Sequence, residues 1–243
     1  MNSIKEEWYE MLRKIESKNM GNSNLGWLKS KFHFSFAEYY NPDNINFGVL
    51  RVINDDLIEV GTGFDTHPHK DMEIISYVVN GDLTHEDSMG NKNTITRGHV
   101  QFMSAGSGVY HSEHNFGKEI LRLLQIWIFP DKQGYKPSYG DYRFNWDDRH
   151  NKWLHMVSSK NRNTPIKINQ DMNIYSLELE NGKEIGFPVK KGRQAYLVQI
   201  EGNSIINNIE LVDRDAMEIV EEDILIKAKE TSHVLVLQMN KQD

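Results

Sequence analysis

From Trp27 to Met239 the apolar residues come in short runs, many alternating with polar ones, and turn-forming residues punctuate them. A two-residue period broken every eight to twelve residues or so predicts antiparallel strands rather than helices. In the first half the pattern places strands at residues 31–39, 47–53, 73–79, 82–86, 100–103 and 121–129. Turns are expected at Asn41-Pro-Asp-Asn, Asn54-Asp-Asp and Ser88-Met-Gly-Asn, with a tight hairpin at Asn80-Gly81, where both residues tolerate positive φ. Residues 130–151 are polar, aromatic and irregular, and read as a segment crossing between two halves. Strands resume at 153–158, 173–180, 196–200, 205–209, 216–220, 224–228 and 234–239. Helical spacing occurs only at residues 5–18, where Trp8, Met11, Leu12 and Ile15 predict a short amphipathic helix.

The expected class is therefore all-β, an antiparallel barrel or sandwich. The second half echoes the first. Setting Gly202 against Gly81 places Pro188, Lys190 and Gln194 opposite His67, His69 and Glu73, so a duplicated second copy would keep the shape without the ligating side chains. The domain reading is an extension at 1–24, a first barrel at 25–145 and a second at 146–243.

Composition narrows the function classes. A formal charge of −7 and the lack of any Lys/Arg run disfavour direct binding to nucleic acid. The chain has no cysteine, which removes disulfides, thiolate metal sites and thiol nucleophiles. No stretch has the length and apolarity of a signal peptide or a membrane span, so a cytoplasmic protein without membrane association is expected. A monomer is expected as well.

The chemistry concentrates in Gly61-Thr-Gly-Phe-Asp-Thr-His67-Pro-His69-Lys-Asp-Met-Glu73 and Gly106-Ser-Gly-Val-Tyr-His111-Ser-Glu113-His114-Asn115. Residues two apart share a strand face. His67 and His69 thus pair on one face, as do His111 and Glu113. Three imidazoles and a carboxylate converging from two such strands suit a divalent transition metal. Glu73 shares the parity of His67 and His69 but stands four residues further along. It is expected near the site without ligating, and Glu113 is the better fourth ligand. His85, His99, His150 and His155 lack paired spacing and read as structural; His114 faces away from Glu113.

These motifs resemble the two conserved motifs of the cupin superfamily. More closely, His67-Pro-His69-Lys-Asp-Met-Glu73 and Met103-Ser-Ala-Gly-Ser-Gly-Val-Tyr-His111-Ser-Glu113 resemble the pirin family. Gly26-Trp27, Phe34-Ser-Phe36, Tyr39-Tyr40, Arg51-Val-Ile-Asn-Asp55 and Gln125-Ile-Trp127 are similar to bacterial pirin-like proteins with quercetinase activity. The resemblance implies a bicupin, two stacked β-barrels with one metal in the first, held by His67, His69, His111 and Glu113. It implies iron(II) as the ion, with nickel, copper, cobalt, manganese and zinc as alternatives. The implied activity is that of a quercetin 2,3-dioxygenase, a metal-dependent oxidoreductase opening a flavonol-like planar aromatic with O2. Glu113 would also act as base, and Phe34, Phe36, Tyr39 and Phe64 are candidate walls for the substrate. Animal pirin implies a second possibility, a metal- or redox-sensing regulatory protein. A third is a barrel whose metal is only structural.

Overall fold

A computed structural model describes residues 11–160 and 163–242. The described residues form an all-β structure of four sheets, two of seven strands and two of four, with single-turn 3-10 helices at Ser17–Asn19 and Trp146–Arg149. Strand pairing is antiparallel apart from Leu154–Ser159 with Ile166–Ile168. Among the described residues no helix is long and apolar enough to cross a membrane.

In the first half, a seven-stranded sheet includes Leu28–Phe32, Leu50–Ile58, Glu73–Asn80, Val100–Ser104 and Leu121–Ile128. A four-stranded sheet is built from Gly63–His69, Asp82–Asp87, Lys92–Thr96 and Val109–His114. The second half repeats the seven-plus-four arrangement. The two seven-stranded sheets meet back to back in one shared core. There Ile75, Tyr77, Leu124 and Ile126 pack with Ile174, Tyr196, Val198 and Leu237, all essentially buried. Strand alternation then sends every second residue of each large sheet toward its own four-stranded partner.

The two inward faces differ in chemistry. In the second half the interior is closed by Leu177, Leu197, Met217, Val236, Ile206 and Ile226. In the first half only one end is apolar, filled by Leu28, Ile58, Val78, Leu83, Ile95 and Leu123. The other end carries buried Asn54, Asp56, Ser76, His85, Gln101, His111 and Glu113. Desolvating that many polar groups is unfavourable unless they are paired or bind something.

Two expectations about local structure are corrected. The predicted helix at 5–18 is not formed over its described part. Leu12–Ile15 is a strand, paired antiparallel with Ala216–Val220 of the second half, followed by a 3-10 turn. The rest of that prediction, residues 5–10 with Trp8, lies outside the described residues. An isolated amphipathic stretch this short is marginal as a helix, and an open sheet edge offers its backbone a full set of partners. Likewise, Asn54-Asp-Asp is no turn but the middle of the strand Leu50–Ile58. Asp55 points to the inter-sheet side, where it accepts from Arg122 at 2.7 Å and lies 3.2 Å from Arg214. Asn54 and Asp56 point to the interior. The segment 130–151, expected to be irregular, also contributes a strand, Ser138–Tyr142, on the edge of the first large sheet.

Candidate metal centre

The strands Gly63–His69 and Val109–His114 lie side by side, with His111 directly opposite His67 and Val109 opposite His69. The loop before the second strand turns at Gly106, whose φ is 45° and where a Cβ would sit 2.0 Å from the Tyr135 carbonyl oxygen, so only glycine fits. A register shift between His111 and Glu113 sets Glu113 opposite Phe64. Such a bulge bends the strand and re-aims its side chains.

Three imidazoles meet at this point. The rings of His67, His69 and His111 have centroids 4.6–4.9 Å apart. One ligating nitrogen from each lies within 4.8 Å of the others. His111 Nε2 and His67 Nε2 are 3.1 Å apart. That is the separation of two nitrogens bound at about 2.1 Å on adjacent corners of one ion's coordination sphere. The far nitrogens of His67 and His111 are occupied. His67 Nδ1 lies 2.7 Å from the Asp65 carbonyl, so it carries the proton and leaves the Nε2 lone pair free. Burial, reinforced by the neighbouring imidazoles, lowers His69 to about 4 and His111 to about 3. Both are neutral at physiological pH, the form that binds a metal. The donor set fits a divalent transition ion.

Glu113 is 2% exposed and lies in the same wall. Its Oε1 accepts from Ser76 Oγ at 2.9 Å and from Gln101 Nε2, while Oε2 accepts from Gln125 Nε2 at 2.6 Å. Its carboxylate groups with His111 and His85 at metal-binding spacing, rather than with the full imidazole triad. A carboxylate has about four lone-pair directions, so Oε2, with one donor, retains the freer one.

Glu73 is not near this cluster. It lies in the interface between the two large sheets, where it accepts from Ser104 Oγ at 2.6 Å, Asn169 Nδ2 at 3.0 Å and the Asn169 backbone at 3.1 Å. The turn at 70–72, with Asp71 at φ 48°, resets strand direction between His69 and Glu73 and invalidates a parity argument carried across it.

The imidazoles border a cavity of about 420 Å³. Trp27, Phe36, Phe64 and Trp127 form its aromatic walls, Asn54, Asp56 and Gln125 its polar side, and exposed Asp65 stands at the rim. Of the expected aromatic walls, Phe36 and Phe64 are in place. Phe34 instead packs in the inter-sheet core, and Tyr39 stacks on Phe32.

His85 also departs from expectation. It is fully buried beside the triad, its Nδ1 3.4 Å from His111 Nδ1 and its Nε2 3.2 Å from Asp87 Oδ2. The detectable signal was the same i, i+2 spacing, His85-x-Asp87, that marked the ligands. His114 pairs with Asp65 at the cavity rim, His150 with Glu178 and Glu180, and His155 with Asn173.

Comparison with known proteins agrees with this geometry. Residues 14–128 match the family model for pirin, and residues 155–239 that for the quercetinase C-terminal cupin domain. The chain is 42% identical over 230 residues to quercetin 2,3-dioxygenase of Escherichia coli K12, covering 94% of this chain and 97% of that one. It is 41% identical over 220 residues to a pirin-like protein of Caulobacter vibrioides, covering 90% and 95%. The crystal structure of the bacterial pirin YhhW from Escherichia coli, in complex with nickel(II), superposes with a TM-score of 0.90 at 39% identity, covering 96% of this chain and 100% of that one. With this likeness running along nearly its whole length, the chain belongs to the pirin family.

Proposed function

We propose that the protein is a metal-dependent dioxygenase of the quercetin 2,3-dioxygenase type, acting on a flavonol or a similar enol-bearing aromatic with O2. In this reading the fold is a bicupin, with a metal-binding barrel over residues 25–145 and a second barrel, without a metal, over 146–243. His67, His69, His111 and Glu113 hold the ion. The observation that carries the reading is the convergence of three imidazoles on one wall of an aromatic-lined cavity. The activity named for the Escherichia coli relative and the nickel(II) complex of YhhW support it. The donor set suits iron(II), nickel(II) and their first-row neighbours.

Each part of the chain has a task. The ion, when bound, supplies Lewis acidity that favours the ionised form of a coordinated hydroxyl. Ser76, Gln101 and Gln125 clamp Glu113 so that one oxygen faces the ligand cluster. The Asp65 carbonyl fixes the His67 tautomer. Trp27, Phe36, Phe64 and Trp127 offer flat apolar surface that orients a planar ring system and displaces water.

The test is aerobic turnover of quercetin by protein loaded in turn with iron, nickel, copper, cobalt and manganese. Activity lost in His67→Ala and Glu113→Gln supports the reading. No turnover with any of the five ions overturns it.

A further inference from the structure

The polar side of the cavity has a pattern that metal binding does not account for. Asn54 and Asp56 are two apart on the strand Leu50–Ile58, 4% and 2% exposed, and both line the cavity. Across the ladder, Asn54 is opposite Gln125 and Asp56 opposite Leu123, with Trp127 two residues beyond Gln125 on the same inward face. Asn54 Oδ1, Asp56 Oδ1 and Trp127 Nε1 are buried, and none has a hydrogen-bond partner. Leaving such groups unpaired costs roughly 1–3 kcal/mol apiece. Three on one wall of one cavity point to a guest that supplies the complement. Two acceptors and one donor beside flat aromatic walls match a planar aromatic with hydroxyl groups next to a ring carbonyl.

The expected base, Glu113, is poorly placed to move. Both its oxygens are engaged, by three side chains in all, and swinging toward a substrate would break those bonds. Asp56 has an unengaged oxygen in the cavity wall.

We propose that Asp56, with Asn54 beside it, receives the hydroxyl of the bound aromatic and takes its proton, leaving Glu113 as a ligand; this deepens the dioxygenase reading and rests on it. In this step the substrate O–H bond breaks. The proton goes to the Asp56 carboxylate, and the electron pair stays on the substrate oxygen as the enolate that is to react with O2. The Trp127 N–H is the donor for the neighbouring carbonyl.

The surroundings of Asp56 suit the task. Burial raises its carboxyl to about 7, the charges of Asp55 and Glu113 act in the same direction, and the Ser30 hydroxyl opposes them. The other titratable groups lining the cavity are Asp65, His67, His69 and His111. A proton acceptor poised near neutral pH is well matched to general-base work.

The test uses full-length, nickel(II)-loaded protein with quercetin under nitrogen, following the absorption of bound quercetin as pH is varied. Ionisation of the flavonol shifts its band to longer wavelength. Wild type should bind quercetin and ionise it at a midpoint well below that of the free compound. Asp56→Asn, which keeps the volume and removes a buried charge, should still bind, with the midpoint unchanged or lowered because no anion then opposes the enolate. Above pH 7 it should release about one more proton to buffer per quercetin ionised, read by calorimetry in buffers of different ionisation enthalpy. Equal proton release by wild type and Asp56→Asn, in protein that binds quercetin, overturns this assignment alone. Wild type that binds no quercetin overturns the dioxygenase reading, and the assignment with it.

Discussion

His85 Nδ1 stands 3.4 Å from His111 Nδ1, on the opposite edge of the ring from the nitrogen that faces His67. The chain continues to Asp87, whose Oδ2 is 3.2 Å from His85 Nε2, and Asp87 is itself held by Asn91 at 2.9 Å. With His111 Nε2 on the metal side, its Nδ1 carries the proton, His85 accepts it as a hydrogen bond, and His85 donates onward to Asp87. This relay fixes both the tautomer and the orientation of one ligand.

Breaking the relay should weaken the metal without emptying the cavity. His85→Gln and Asp87→Asn are each expected to lower metal affinity by about 10- to 100-fold, as loss of a ligand's supporting hydrogen bond commonly does. Competition with a chelator of known affinity measures this, and an unchanged affinity in both variants would contradict the role assigned to the pair.

Glu73→Ala should separate stability from chemistry. It strips acceptors from Ser104 and the Asn169 backbone N–H in the inter-sheet interface, with an expected loss of about 2–3 kcal/mol. Denaturant unfolding reads that loss. Metal stoichiometry should stay at the wild-type value, because Glu73 faces away from the imidazoles.

Gly63→Ala acts on the spacing of the two ligand-bearing strands. A Cβ there would lie 2.3 Å from the Glu113 carbonyl oxygen and 2.5 Å from His114 Cα, both backbone atoms with little freedom to yield. A cost of about 1–3 kcal/mol is expected from overpacking. Metal content after purification should drop alongside the melting temperature.

Acid should destabilise the metal-free protein from near pH 6.5 downward. Burial lowers both His33 and His233 from 6.5 to about 4. Between these values the unfolded chain binds more protons than the folded one, so stability is full above 6.5 and is lost as pH falls toward 4. Each histidine accounts for up to roughly 3 kcal/mol. Glu201, lowered to about 2, adds a loss beginning below its ordinary value of 4.5. Asp56, raised to about 7, works the other way, since its stabilisation is greatest in acid and disappears as pH rises through 7. Melting temperatures from pH 7.5 to 4.5 should therefore fall in wild type and fall more steeply in Asp56→Asn.

The imidazole site was legible because its spacing is local. His67-x-His69 is a two-residue repeat inside one strand, and His111 pairs directly across from His67. Glu73 was misjudged because a turn with a left-handed residue, Asp71, separates it from His69. Asn54-Asp55-Asp56 has the composition of a turn, yet it forms a strand with Asp55 ion-paired on one face and Asn54 and Asp56 lining the cavity on the other. Polar residues in the middle of a strand follow from what the interior must hold, which local propensity does not encode. The predicted helix is replaced over its described part for a related reason: its competitor, the edge of Ala216–Val220, lies about two hundred residues away in the chain.

That edge pairing carries a consequence for how the molecule can be divided. Leu12–Ile15 completes the second large sheet, while Gly21–Asn24, a few residues later, completes the first. Residues 12–24 are thus a clasp across the seam, and neither half owns all its own borders. Expressed alone, residues 146–243 would present Ala216–Val220 as a bare rim beside an uncovered apolar face, a surface inclined to self-associate. Cutting the protein at the middle should give fragments that need each other in solution.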